Sequence, residues 1–190
     1  MPLTTDSHNT GSNAKGSDIR RTLIEDFDNG FTELVREYQP GIYSGARRLT
    51  RGAQDAEDVA QDTFVRAYKA LSTYAPERIA DLRVRPWLWT IALNLCRNRA
   101  RSQVTEFAFK EGDAGGTDDP EVFDDAAWAV RLASLSEAQR TAVVLRYVLD
   151  LSIAEIGEAT ERPVGTVKAD ISRALERLRL TMKAEVLHAR

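Results

Sequence analysis

The sequence has very little of the chemistry that disulfides, metal sites and histidine-based catalysis need. Its 190 residues include one cysteine and two histidines, and the histidines, His8 and His188, lie near opposite ends of the chain. A single Cys96 excludes an internal disulfide and any zinc site built on paired cysteines. We therefore expect no metal, no cofactor and no catalytic centre, and we interpret Cys96 as a small buried apolar residue.

Long apolar segments and an overall basic charge are also missing. No run of apolar residues approaches the roughly 20 that span a bilayer, and the polar N-terminus does not resemble a signal peptide. We expect a cytoplasmic protein with no membrane-inserted segment. The net charge is −3, which is unusual for a chain that binds nucleic acid, but residues 104–127 hold eight acidic side chains and one basic side chain. The rest of the chain therefore carries a net positive charge, and local fields matter more than the total.

Apolar residues recur at helical spacing from Ile19 to about Arg101 and again from Trp128, and no convincing alternating strand appears. The sequence therefore predicts an all-α fold. Its expected units are a disordered tail, two small helical domains and, between these domains, a flexible acidic linker. Their bounds are 1–17 for the tail, 18–103 for the first domain, 104–127 for the linker and 128–185 for the second domain.

Prolines set two of the predicted helix boundaries. An apolar stripe from Ile24 to Tyr38 is expected to stop before Pro40, because proline disrupts a helix interior. Residues 72–86 contain two prolines and few core candidates. We expect a loop there, with at most a short helix, and Pro86 suits the first turn of the helix that follows.

Residues 151–178 have the pattern of a helix-turn-helix. Ser152 and Glu155 form a capping box at the start of the first helix, and Pro163 separates that helix from the second. A helix-turn-helix places its second helix in the DNA major groove, and residues 162–190 hold seven basic and three acidic side chains. An ordinary helical hairpin with a solvated charged face is the alternative. The side chains expected to face solvent or DNA include Thr166, Lys168, Asp170, Ser172, Arg173 and Arg177.

Two further groups of side chains lie in the first domain. Asp58, Gln61 and Asp62 share one face of a helix, where acids near a helix N-terminus would by themselves indicate only a solvated surface. The helix from Pro86 begins with tryptophans and ends with arginines. Aromatic rings beside cations suit a single strand of nucleic acid, whose bases stack and whose phosphates pair with arginine. For Trp87, burial in the core is an equally good interpretation.

Three motifs in a fixed order resemble the bacterial sigma factors. They are DAEDVAQDTFVRAYKAL, then RPWLWTIALNLCRNRAR, then, after the acidic linker, LSEAQRTAVVLRYVLDLSIAEIGEATERPVGTVKADISRALERLR. The chain is most similar to the extracytoplasmic-function group of the sigma-70 family, which keeps only domains 2 and 4. The resemblance implies a promoter-specificity subunit, not an enzyme. It also implies three partners: the β′ and β subunits of core RNA polymerase, promoter DNA and an anti-sigma factor.

The resemblance assigns a role to each group of side chains. The acidic helix would dock on core polymerase through Asp58, Gln61 and Asp62. The loop 72–86 and the helix after it would melt and read the −10 element. The second helix of the helix-turn-helix would read the −35 element through the six residues named above. The residues assigned to the −10 element are Trp87, Asn94, Arg97, Asn98 and Arg101.

Two departures from the family leave the promoter sequence open. The loop 72–86 is a few residues longer than is usual for the group, and Asp170 stands where a basic residue is common. An acid at that position repels phosphate but can accept a hydrogen bond from cytosine N4. The rival hypothesis is a helix-turn-helix regulator that binds a duplex operator without polymerase, usually as a dimer. That hypothesis leaves the acidic helix face and the arginine-rich helix without a purpose.

Overall fold

The structure, a computed structural model, describes residues 9–50, 52–107 and 125–188, and all regular structure in these ranges is helical. This confirms the predicted all-α class. The first domain contains α1 (Asn9–Glu25), α2 (Phe27–Leu49), α3 (Ala53–Leu71), α4 (Pro76–Ala80) and α5 (Val84–Phe107). The second contains α6 (Asp125–Ala133), α7 (Glu137–Val143), which continues as a π turn (Val144–Val148), α8 (Ile153–Thr160) and α9 (Val164–His188).

The start of the chain departs from the prediction of a disordered tail. Residues 9–17 belong to α1, and residues 1–8 lie outside the described residues. Long-range contacts account for the helix: Lys15 pairs with Glu37 of α2 at 3.1 Å, and Gly16 is buried beside Tyr38. These contacts between distant residues cannot be predicted from the composition of residues 1–17.

The prediction that a helix stops before Pro40 is wrong. The break comes earlier, at Asp26, whose side chain caps α2 by accepting a hydrogen bond from the Asn29 amide at 3.2 Å. α2 then runs through Pro40 to Leu49. Beyond the proline it buries Ile42 and Ala46, and that burial offsets the lost backbone hydrogen bond.

The core of the first domain follows the predicted pattern. The expected stripe on α3 is buried throughout, at Ala56, Val59, Ala60, Thr63, Phe64, Ala67 and Leu71. The hydroxyl of buried Thr63 donates to the Val59 carbonyl at 2.7 Å, so its polar group is satisfied. Cys96 is buried too, and desolvation raises the pKa of its thiol to about 12. The loop 72–86 contains the short helix α4, and α5 begins at Val84, two residues before Pro86.

Local signals also set the second domain. The capping box between Ser152 and Glu155 forms at the start of α8, as predicted. A second capping box, between Ser136 and Gln139, forms at the start of α7. Glu161 closes α8 in the left-handed region, with φ of 55°. The turn into α9 is therefore short, and it brings the two helices of the helix-turn-helix together.

The two domains share one core. Leu145, Leu151 and Ile156 of the second domain belong to the same buried cluster as Leu88 and Ala92 of the first, and α5 packs directly on α8. We call this packing the closed arrangement. Of the predicted linker, residues 104–107 extend α5 and residues 125–127 begin α6, whereas 108–124 lie outside the described residues.

Candidate polymerase and promoter interfaces

The three predicted docking residues lie on one face of α3, but two of them already have a partner. Gln61 and Asp62 are exposed, and Asp58 is half-buried. The guanidinium of Arg99, on α5, lies 3.0 Å from Asp58 and 4.0 Å from Asp62. It also lies 3.1 Å from Asp55, one turn earlier on α3. Neither Arg99 nor Asp55 was predicted in this role. Asp55 has the helical spacing that places it on the face of Asp58, whereas no spacing rule links Arg99 to residues of α3.

The residues assigned to the −10 element line one stretch of α5. Asn94, Asn98 and Arg101 are exposed, and Arg97 is half-buried. The Arg97 guanidinium donates to Asn94 Oδ1 at 2.9 Å and lies 3.6 Å from Glu137 of the second domain. The side chains therefore offer amide and guanidinium groups at the surface, as recognition of a strand requires.

An aromatic group forms beside this stretch, where the sequence indicated only a loop. Trp87 is half-buried, and its ring centroid lies 6.2 Å from that of Tyr74. Arg78, on α4, places its guanidinium 3.6 Å from the centre of the Tyr74 ring. Aromatic rings beside a guanidinium are the types of group that bind bases of a single strand. Tyr74 and Arg78 are two site candidates that helical periodicity did not indicate.

On α9, most residues assigned to the −35 element are accessible. Lys168, Ser172, Arg173 and Arg177 are exposed, and Thr166 is half-buried. The expectation that Asp170 faces solvent or DNA is wrong, since only 6% of it is exposed.

Its position on the helix explains the burial of Asp170. It lies three residues after Val167 and four before Ala174, both of which are buried, so it shares their face. The carboxylate accepts a hydrogen bond from Arg162 of the turn, and Arg173 lies 4.0 Å away. Its charge is therefore compensated within the domain.

Polar contacts fasten the closed arrangement. Arg85, at the start of α5, donates to the carbonyls of Leu149 and Asp150, which follow the π turn, the second at 3.3 Å. It also lies 3.8 Å from Glu155. A cation that binds carbonyl groups at a helix C-terminus satisfies acceptors that the helix itself leaves open. A second ion pair, between Arg83 and Glu158, lies beside it.

The same junction depends on a glycine. A Cβ atom at Gly45 would lie 2.3 Å from the Trp89 ring and 2.7 Å from the Leu149 side chain. No side chain fits at that distance, so the absence of one lets α2, α5 and the second domain meet.

Two classes of site are not found in the described part of the chain. No group of three or more His, Cys, Asp or Glu side chains within residues 9–50, 52–107 and 125–188 is placed to hold a metal ion. In the same ranges, no helix has both the length and the apolar character needed to cross a membrane.

Comparison with known proteins places both domains. The family model for Sigma-70 region 2 matches residues 34–105, and the model for Sigma-70, region 4, matches residues 127–178. The first match includes α3 with the acidic face and the part of α5 that carries the arginine-rich stretch. The second contains the helix-turn-helix.

Individual relatives match about four fifths of the chain. The ECF RNA polymerase sigma factor SigW of Bacillus subtilis is 30% identical in an alignment 173 residues long, which covers 82% of this chain and 90% of that protein. The RNA polymerase sigma-H factor of Pseudomonas aeruginosa is 36% identical in an alignment 175 residues long, which covers 81% of this chain and 89% of that protein. Among solved structures, the sigma factor RpoE of Bartonella quintana, crystallised with the anti-sigma factor NepR, is 25% identical. That match covers 80% of this chain and 96% of the other, with a TM-score of 0.67. The chain belongs to the extracytoplasmic-function group of the sigma-70 family.

Proposed function

We propose that this chain is an RNA polymerase sigma factor that binds core polymerase, directs it to specific promoters and promotes melting of the DNA. The observation that carries the proposal is the pairing, in one chain, of a region 2 domain with an acidic surface and a region 4 domain with an exposed reading helix. The relatives are themselves named as RNA polymerase sigma factors.

Docking on core polymerase is assigned to Asp58, Gln61 and Asp62. Their face of α3 is at least partly exposed and keeps a net negative charge, because one guanidinium offsets one of the three neighbouring carboxylates. A basic surface on the β′ subunit would complement it, and charge complementarity steers and orients such encounters.

Melting is assigned to the surface that α4, α5 and Tyr74 build. Bases of the non-template strand would leave the duplex and stack against Tyr74 and Trp87, while arginines of α5 pair with phosphates. Capturing a flipped base offsets the few kcal/mol that unstacking costs. No catalysis by the chain is needed for this step.

Promoter selection at the −35 element is assigned to Lys168, Arg173 and Arg177, with Thr166 and Ser172 as smaller contacts. Asp170 enters the proposal differently from the sequence-based hypothesis. Its buried carboxylate holds Arg162 and so fixes the turn against α9. Reading of a cytosine by Asp170 would first require that pair to break.

Simultaneous use of both DNA surfaces requires the domains to separate. The −35 and −10 elements lie about 25 base pairs apart, or roughly 85 Å at about 3.4 Å per base pair. A compact chain of this length has a radius of gyration of about 16 Å. The closed arrangement is therefore too small to reach both elements, and we infer that it opens on the promoter. An anti-sigma partner, as in the Bartonella quintana complex, would act on the same equilibrium.

The test is transcription in vitro with purified bacterial core polymerase on fragmented genomic DNA, with and without this chain. We expect a small set of transcripts with defined 5′ ends only when the chain is present. A regulator that acts without polymerase docking would instead bind duplex fragments alone and leave core transcription unchanged, and that result would refute the proposal.

A further inference from the structure

We propose that Arg99 is a positioning residue of the core-polymerase docking surface, which we define as Asp58, Gln61 and Asp62. Its guanidinium holds Asp58 in the orientation in which that carboxylate contacts polymerase together with Gln61 and Asp62. The inference rests on the proposed function. This role differs from that of Arg97 and Arg101, which are assigned to the −10 element.

Arg99 contacts Asp55 and Asp58 more closely than Asp62. One nitrogen of Arg99, Nη1, lies 3.1 Å from Asp55 Oδ1 and 3.0 Å from Asp58 Oδ2, whereas Nη2 lies 4.0 Å from Asp62 Oδ2. The exposed fraction of the carboxylate side chains rises along the same series, from 21% for Asp55 to 35% for Asp58 and 53% for Asp62. The outermost carboxylate is the one held least.

Asp58 is held from two sides. The amide of Gln54, one turn earlier on α3, donates to Asp58 Oδ1 at 3.1 Å, while Arg99 engages Oδ2. Both oxygens thus have a partner in the protein, and the rotamer is set before any other protein binds. Because the Asp58 rotamer is fixed beforehand, binding does not incur the entropy cost of ordering that side chain.

Arg99 also limits repulsion within the surface. Asp55, Asp58 and Asp62 follow one another at three- and four-residue intervals, where like charges destabilise a helix. The planar fork of a guanidinium can serve two carboxylates at once, which the point charge of a lysine does less well. Because one positive charge faces three negative charges, the surface stays attractive to a basic partner.

The expected signature is kinetic. Replacing Arg99 with glutamine frees the Asp58 rotamer and leaves the surface one charge more negative. Association with core should then be no slower, because attraction has increased. Dissociation should be faster by about threefold to tenfold, the cost of ordering one side chain on binding.

The experiment measures both rate constants for the full chain on immobilised core polymerase. The variants are R99Q, R99K and, as a matched control, R36Q, which removes one positive charge from an exposed position on α2. We expect R99K to dissociate at an intermediate rate and R36Q at the wild-type rate. Far-UV circular dichroism checks that each variant is folded. If R99Q does not fold, the dissociation rate of R99K is used for the test instead.

A double-mutant cycle separates positioning from a general effect on the fold. If Arg99 acts through Asp58, R99Q should change the dissociation rate less than twofold in a D58N background. An equal effect in both backgrounds, or slower dissociation of R99Q, would refute the role of Arg99. Absence of binding by the wild-type chain would refute the proposed function itself, and with it this inference.

Discussion

Replacement of Arg85 by alanine should open the closed arrangement. The Arg85 side chain is 19% exposed and bridges the domains through two main-chain carbonyls and Glu155. Hydrogen bonds to a charged group contribute roughly 1.5–3 kcal/mol each. We expect the loss to be about 3 kcal/mol after allowing for partial exposure, which is roughly a hundredfold change in the ratio of closed to open molecules.

Small-angle scattering measures that change directly. The closed arrangement predicts a radius of gyration near the roughly 16 Å of a compact chain of this length. The R85A variant should exceed the wild-type value by several ångströms. R66A, an exposed change on α3, serves as the control and should match the wild type. Identical scattering from R85A and the wild type, with one shared unfolding transition, would refute the reasoning.

Three further predictions test single residues. D62K should abolish core-polymerase binding in a pull-down. It should change the free energy of unfolding by about 0.5 kcal/mol or less, because the Asp62 side chain is 53% exposed. Retained binding would contradict the docking assignment. R177A should weaken binding to the −35 element. If Arg177 contacts phosphate, the slope of the logarithm of affinity against the logarithm of salt concentration should fall by about one. An unchanged affinity and slope would remove Arg177 from the reading surface. Cys96, whose pKa is raised by burial to about 12 from 9.0, should stay protonated in the fold and resist alkylation at pH 8. The unfolded thiol loses its proton first, so the raised pKa lowers stability only as the pH rises above about 9. Rapid alkylation of the native protein would contradict this prediction.

Sequence patterns correctly predicted the features that depend on interactions between residues close together in the chain. The buried stripe of α3 and the capping box at Ser152 depend on residues three or four positions apart, and both formed as expected. Asp170 shows the limit of the same rule: an acid was assigned to the exposed face because of its type, although its spacing placed it on the buried face. The partner that compensates its charge, Arg162, was not foreseen.

Contacts between distant residues accounted for the other departures. α2 continues past Pro40 because the following turns pack into the core, and α1 reaches back to Asn9 because Lys15 and Gly16 meet α2. The pairing of Arg85 with the second domain has the same origin. Periodicity within a segment contains no information on which segment lies opposite.

The most direct test of the account is permanganate footprinting of a promoter identified by the transcription experiment. Core polymerase, the chain and DNA are mixed without nucleotides, and reactivity of unpaired thymines is mapped. We expect reactive thymines in the −10 region only when core and chain are both present. For the chain carrying R97A and R101A we expect a weaker signal, with closed-complex binding little changed. Duplex binding by the chain alone, with no reactive thymines in the presence of core, would contradict it.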